Sequence, residues 1–591
     1  MLDLIENIRN NATPIDKENS NSTNMYLDVM EKSIEAYDFK AIESASKNPI
    51  HDFQDIFTGY SRIGMSRLLN VMAVLIYNNR ISRQYKFWVN LLKILFIDIA
   101  DQTDKSGVEF LILELCSALI FGRHFMKDDD YSECIQYLIV INPYEKYDST
   151  LKRKKPEKLH NFCMYGICAE YLRGYLTGIN TEDFIVSHWV VQKEKFDMEG
   201  RYMDPDCPMV YDITSRYRLA LMIYMGYSGA AANEMKKVLM KGAPGLLYQM
   251  SSDFKFPYGG RSNQFNFNEA LVASMCEFYA NEFYKMGDIK VAGAFSHCAK
   301  KSIRGLDRWL KVSPARHIKN LFPTNSNYGI DSYGTYERYM GTMGTFLTGA
   351  VKFHNKEIFP YTTPIETGGF VYETGSNFHK LFASCSGYSI EIEKDADKKH
   401  DAVGLGRIHF SGAPAEFALS MSFAAHPKYL LGDYKNNKGR AIGAYWNING
   451  DKEYLAEKGY AVDTTIFNES RESIKFSIKY IIEGRGIITE NYIILKTGIN
   501  IKAVCDFADI SYCVPILYNN GVSGSVVILQ KDSCDVRLDS WVYKVRWEDG
   551  LETEFCDYKL YNRNGIYKEL NIKNNNKSIA INLSIEGAGN E

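Results

Sequence analysis

The sequence predicts an α+β protein of two units, an N-terminal α/α toroid (a complete or incomplete α/α barrel) over residues 1–360 and a C-terminal antiparallel β-sandwich over residues 365–591. Three observations point there. Apolar residues recur at helical spacing in segment after segment from about residue 25 to about residue 360. Past about residue 365 the pattern shortens to the two-residue alternation of strands. At 591 residues the chain is also too long for one small core.

The helical segments include MSRLLNVMAVLIYNN, KFWVNLLKILFIDIADQ, VEFLILELCSALIFG, KLHNFCMYGICAEYLRGYL, ITSRYRLALMIYMGY, AANEMKKVLMKG, NEALVASMCEFYANEFYKMG and YERYMGTMGTFLTGAVKF, joined by short polar connections. Such a succession stacks as a solenoid or closes into a ring. No residue signature recurs at a fixed period, which favours the ring. The linker is NKEIFPYTTPIETGG, where Pro360 and Pro364 stop the last helix. SIKFSIKYIIEGRGIITENYIILKTGINIKAVCDF then reads as three successive strands with glycine-containing turns, and SIAINLSIEG as a last one. Strands gathered after helices mean segregated layers.

Composition narrows the partners. A formal net charge of −3 with both signs well mixed offers no field for a run of phosphates, so no nucleic-acid partner is expected. The nearest approach to a membrane span, KFWVNLLKILFIDIADQ, is broken by Asn90, Lys93 and Asp98, so no membrane partner is expected. The opening MLDLIENIRNNATPIDKENSNSTNMY lacks the features of a secretory leader, and a cytoplasmic protein is expected. Twelve cysteines stand singly, none in CxxC spacing, which argues for reduced thiols and against a structural zinc; no metal and no cofactor is expected. The oligomeric state is left open. Tyrosines, 41 of them, suit stacking on sugar rings while hydrogen-bonding their rims.

Four clusters carry candidate chemistry. In FPYGGRSNQFNFNEA, Gly259 and Gly260 permit a close backbone approach, while Asn266 and Glu269 have the spacing of a capping box. Capping does not account for Arg261, Asn263, Gln264 and Asn268, whose guanidinium and amides suit a carboxylate and hydroxyls. In NSNYGIDSYGTYERYMGTMGTF, Asp331 or Ser332 is placed to cap a helix bearing Tyr333, Tyr336 and Glu337; Tyr328 precedes it, and Tyr333, Tyr336 and Met340 fall on one face. That stripe suits a packed core as well as a sugar platform. In EGRYMDPDCPMVYDITSRYRLALM, Asp204, Asp206 and Asp212 lie in and after a proline-broken loop, Asp212 serving either a helix start or acid–base work. In KKHDAVGLGRIHFSGAPAEF, Arg407 and His409 share one face of a strand, facing solvent or an interdomain cleft.

The segments DPDCPMVYD, FPYGGRSNQFNFNEA, YGIDSYGTYERYM and HDAVGLGRIHFSGAP resemble bacterial carbohydrate-active proteins with an α/α toroid and a β-sheet domain, most closely glycoside hydrolase family 154 of the exo-β-glucuronidase type. The layout is similar more broadly to polysaccharide lyases of the heparinase II/III type. The resemblance implies an enzyme that removes a terminal uronic acid, β-glucuronic acid by preference, from an oligosaccharide. In that reading Arg261 grips the uronate, Asn263, Gln264, Asn268, Tyr328, Asp331, Tyr333, Asp204, Arg407 and His409 line the sugar site, and Glu269, Glu337, Asp212 and Tyr336 supply the catalytic groups. The lyases pair Asn with His in the cavity, whereas the loop here reads SNQFNFNE without histidine. β-Elimination with a tyrosine base, drawn from Tyr328, Tyr333 or Tyr336, is the alternative, with His317, His379 or His409 as an imidazole from elsewhere. A non-catalytic sugar-binding protein is the third reading.

Overall fold

The computed structural model describes residues 4–16, 22–46, 60–101, 107–147, 160–431 and 437–587. Twelve of its helices alternate between an outer and an inner ring. They are α1 (Ser22–Ile34), α2 (Arg62–Tyr77), α3 (Tyr85–Asp101), α4 (Val108–Gly122), α5 (Asp128–Ile139), α6 (Asn161–Thr177), α7 (Glu182–Gln192), α8 (Met209–Tyr224), α9 (Ala232–Tyr248), α10 (Phe267–Lys285), α11 (Ile289–Arg304) and α12 (Tyr336–Phe353). Each even-numbered helix packs on the next and α12 returns to α2, so the toroid is closed.

Sequence decides which ring a helix joins. In α4 every residue but Ile120 is buried, whereas α5, DDDYSECIQYLI, buries only Cys134 and Leu138. A helix apolar all round must be surrounded by protein; one with a single stripe faces water. Polar residues on inner helices then need internal partners. Glu114 of α4 accepts from Asn70 of α2 (2.6 Å) and from Thr345 of α12, pinning three inner helices together. No helix among the described residues is long and apolar enough to cross a membrane.

The ring helices end at Phe353 and the first strand begins at Phe370, with a short capped turn, Pro364–Thr367, between them. Strands β1 to β4 (Phe370–Glu373, Lys380–Cys385, Tyr388–Glu393, Gly404–Phe410) form an antiparallel sheet in that order. An eight-stranded sheet runs from the edge strand Gly459–Glu469 through Ser473–Ile482, Gly486–Leu495, Gly498–Cys505, Ser578–Gly587, Trp541–Trp547 and Ser533–Leu538 to Val526–Leu529. A five-stranded sheet is ordered Glu552–Asn562, Gly565–Lys573, Ile510–Asn519, Gly443–Ile448, Asp451–Tyr454. The eight-stranded sheet shows the predicted alternation: Ile474, Phe476, Ile478 and Tyr480 are buried between exposed Lys475 and Lys479.

The sandwich is richer than two sheets. Both smaller sheets pack against the large one, and an isolated bridge from Leu405 to Ile442 joins them. The β1–β4 sheet is buried on both faces. Leu381, Ala383, Ile390 and Ile392 join the β core, while Phe370, Tyr372 and Phe382 join the helical core. Of the two environments expected for Arg407 and His409, solvent is ruled out and the side facing the other unit holds, because that face lies on the toroid. His409, 2% exposed, bonds Ser251 (2.8 Å) and Ser420 (3.1 Å); Arg407 donates to the Phe256 carbonyl (3.0 Å) and pairs with Glu391 (2.9 Å).

Candidate active site

The N-terminal turns of the six inner helices surround a cavity of about 450 Å³. Its wall comes from Ile63 and Arg67 of α2, Phe110 of α4, Tyr165 of α6, Tyr211 and Thr214 of α8, Phe267 of α10, and Arg338, Tyr339, Thr342 and Phe346 of α12. His160 and Asn161 at the start of α6, Arg261 and Tyr333 from loops complete it. Helix N-termini carry partial positive charge from their unpaired N–H groups. The cavity therefore favours an anion before any side chain is counted.

The side chains push the same way. Arg67, 6% exposed, donates Nη1 to Thr342 (2.7 Å), while its Nε has no hydrogen-bond partner. Arg338 likewise has an unpartnered Nε, and burial followed by the charge of Arg67 lowers its pKa below the ordinary value. Neither has a carboxylate within ion-pair distance among the described residues. Beneath them the buried Arg218 lies 4.0 Å from the ring centre of Tyr165, itself a wall residue. Two cations this close, without counter-ions, are a standing cost that an anionic ligand relieves.

Opposite stands a cluster of hydroxyls. Ser262 Oγ is 3.1 Å from the Tyr211 hydroxyl, 3.1 Å from that of Tyr333 and 3.3 Å from that of Tyr339. Burial, reinforced by the neighbouring phenols, holds Tyr211 and Tyr339 above the ordinary tyrosine range; burial and then Asp331 do the same to Tyr333. Ser262 is placed by a contorted loop. Gly259, Gly260, Ser262 and Gln264 all have positive φ, at 134°, 71°, 60° and 66°. A left-handed serine costs about 1 kcal/mol. Its N–H donates to Asp331 Oδ2 (3.0 Å), and Asp331 is in turn paired with Arg563 (3.1 Å) from the β domain.

Of the residues singled out from sequence, Arg261 and Tyr333 line this cavity. Arg261 is already engaged: it pairs with Asp204, donates to the Pro205 carbonyl (2.8 Å) and lies 4.8 Å over the Tyr211 ring. Asp204 also accepts from the Asn161 N–H (2.8 Å). The other carboxylates face elsewhere. Asp212 accepts from Tyr202 N (2.8 Å) and pairs with Arg216 four residues on (2.5 Å); Glu269 accepts from Phe256 N (2.9 Å) and pairs with Lys319 (2.9 Å). Glu337 accepts from Thr335 (2.7 Å). No Asp or Glu is in the cavity wall among the described residues.

The amides are structural neighbours of the site. Asn263 donates to Gly260 O (2.5 Å), Gln264 accepts from Asn564 (3.2 Å) and Asn268 donates to Ser262 O (3.4 Å). Tyr328 donates to Gly565 O (2.9 Å), and Tyr336, the first residue of α12, is outside the wall. Two capping expectations are corrected. Asn266 stands at the N-cap of α10, but with helical backbone (φ −67°, ψ −21°) its side chain donates to Arg316 O (2.6 Å) instead of capping, and Lys319 and Phe256 N draw Glu269 away. Helix α12 starts after Thr335, not Asp331 or Ser332, leaving Tyr333 in the preceding loop.

Sequence reasoning missed Arg67, Arg338, Tyr211, Tyr339, Ser262 and the His160–Asn161 start of α6. A signal existed: the all-round apolar helices mark the inner ring, and polar residues within their first turns are the ones that face its end.

No protein-family model matches the sequence, and no curated protein does. Among solved structures the chain is similar to heparinase III, at 10% identity, covering 99% of this chain and 88% of that one with a TM-score of 0.53. Weaker likenesses include a heparan sulfate lyase HepC mutant from Pedobacter heparinus (8% identity, 83% of this chain and 78% of that one, TM-score 0.40) and a glycosyl hydrolase family 88 protein from Bacteroides vulgatus (9%, 56% and 99%, 0.39). These two lie below the level at which a common overall fold is inferred. The first shows a shared fold that runs through both the helical ring and the sheets of this chain.

Proposed function

We propose that this protein is a carbohydrate-active enzyme that holds a uronic-acid residue of an oligosaccharide in the toroid cavity and breaks the adjoining glycosidic bond by β-elimination. The observation that carries the reading is the make-up of the wall: two arginines, Arg67 and Arg338, without counter-ions, and tyrosine hydroxyls, with no carboxylate among its described residues. Fold similarity to a heparinase agrees with an acidic sugar as substrate.

The chemistry follows from those groups. Arg67 and Arg338 bind the uronate carboxylate and withdraw charge from it, which acidifies the proton on C5. Tyr333, as phenolate, takes that proton; the C–H electron pair becomes the C4–C5 double bond, and the C4–O bond breaks. The leaving oxygen takes up the proton from the same phenol. Ser262, itself held by the Tyr211 and Tyr339 hydroxyls, holds the Tyr333 hydroxyl in place. Arg261 acts on Tyr333 in the helpful direction, favouring its ionised form.

Hydrolysis needs two carboxyl groups flanking the bond, one protonated and one ionised. Asp204, Asp212 and Glu269, three of the carboxylates singled out from sequence, are committed to arginine or lysine partners. The test is incubation with uronate-containing oligosaccharides while following the ultraviolet absorbance of an unsaturated uronate. Absorbance should appear, and both Arg338→Ala and Tyr333→Phe should reduce its rate by about a hundredfold or more. Release of saturated uronic acid without absorbance would sink elimination and restore hydrolysis. Binding without any cleavage would leave a sugar-binding protein.

A further inference from the structure

Beside the cavity, where Arg261 Nη1 comes within 3.9 Å of Asp206, a second cleft of about 440 Å³ opens between the Asp206 and Gly259–Gly260 loops and strands β2 and β3 with the segment that follows them. Its charge is the reverse of the first. Asp206, Glu393, Asp395, Asp397 and Asp401 line it, against Lys380 and His379; burial raises Glu393 to about 8 and lifts Asp401 above the ordinary carboxylate range, so each gains from a cation brought beside it. Lys380 is spent on two carboxylates, Glu393 (2.6 Å) and Glu391 (3.0 Å), and burial lowers His379 toward its neutral form. His400 satisfies Asp397 (2.9 Å).

Asp401 supplies a second, independent observation. It is 4% exposed, and the Gly260 N–H donates to its Oδ2 (2.8 Å), but its Oδ1 has no hydrogen-bond partner. A buried carboxylate oxygen left unpaired is costly, and such groups ordinarily have a donor. The cleft is of the size that takes a small organic ligand. No group of three or more His, Cys, Asp or Glu side chains among the described residues is arranged to hold a metal ion. A donor that is cationic, organic and contiguous with a sugar in the neighbouring cavity meets these conditions.

We infer that the cleft lined by Asp206, Asp395, Asp397 and Asp401 receives the unsubstituted ammonium group of an amino sugar adjoining the uronate, so that the substrate alternates a carboxylate and an ammonium along its chain. The assignment of the neighbouring sugar rests on the uronate reading above. An N-acetyl or N-sulfo group in this cleft would lose the ammonium, and the sulfo group would also meet like charge.

The test is calorimetric binding to the full chain carrying Tyr333→Phe, to prevent turnover, with three forms of one oligosaccharide: uronate with free glucosamine, the same after N-acetylation, and the same after reduction of its carboxyl groups. N-acetylation should weaken binding about tenfold or more. Asp395→Asn, at an exposed position of the cleft, should remove most of that difference. Equal affinity for the free and acetylated amines, with binding lost on carboxyl reduction, overturns the acidic-cleft inference and leaves the uronate reading standing. Full binding of the carboxyl-reduced form, or no binding of any form, overturns the uronate reading itself and the inference with it. Calcium ion binding alone with an affinity that Asp395→Asn removes would also overturn the inference, in favour of a metal site.

Discussion

Glu269 is fully buried between the Phe256 N–H and Lys319, and burial pulls the Lys319 amine down to about 8 even though Glu269 draws it the other way. A carboxylate so placed holds the loop and the helix together, so its removal is a stability experiment. Glu269→Gln leaves Lys319 buried without a counter-ion and should cost about 3 kcal/mol in denaturant unfolding, with turnover per folded molecule unchanged. Tyr333→Phe should do the reverse, removing turnover at little cost in stability. The phenol also sets the pH dependence. Burial and Asp331 raise its pKa, so the ionised base is scarce at neutral pH and grows as pH rises. kcat/KM should then climb toward alkaline pH by about tenfold per unit while the fold holds. An acid-side limb in the ordinary carboxylate range, with no alkaline climb, would assign the base to an Asp or Glu.

At the scale of elements, the loop ahead of α10 shows how far sequence reaches. Two adjacent glycines announced a close backbone approach, and both adopt positive φ. What they approach was invisible, since it comes from the loop before α8: a Cβ on Gly260 would stand 2.6 Å from Pro208 Cβ and 2.7 Å from its Cα. Gly484 provides a control with the same φ of 71° and open space around it. Gly484→Ala should cost about 1 kcal/mol, the conformational share alone. Gly260→Ala adds a backbone clash and should cost about 2–4 kcal/mol, shift Arg261 and lower activity in the folded fraction. Equal losses in thermal unfolding would mean that the Pro208 loop yields freely. The ring of helices was legible for the same local reason, because period and apolar breadth reside within each segment. The site was legible only where one loop carried it, as at Arg261 and Tyr333; Arg67 and Arg338 meet across the closure of the ring, 271 positions apart in the chain.

Across the whole molecule, helices followed by strands could be read from the change of period, but the pairing of the two units could not. Asp331 finds Arg563 232 residues away, and the polar face of β4 finds the toroid loop instead of solvent. That contact makes one further prediction about how the units hold together. His409 is sealed between them, with burial first and Arg407 next lowering its pKa well below 6.5. The unfolded chain therefore takes up a proton that the folded interface refuses, and the stability tied to this group is present above pH 6.5 and lost as pH falls below it. The total pH curve hides this, because Glu393 in the same interface is pushed by burial up to about 8 and works in the opposite sense. A difference between two proteins removes the shared terms. His409→Gln keeps a donor and an acceptor near Ser251 and Ser420 but binds no proton. It should be the less stable protein at about pH 7.5, and the gap should close by about 1.4 kcal/mol per unit below pH 6.5. A gap that stays constant down to about pH 5.5 would mean that water reaches His409 in the folded state and that the strand face does not seal against the toroid.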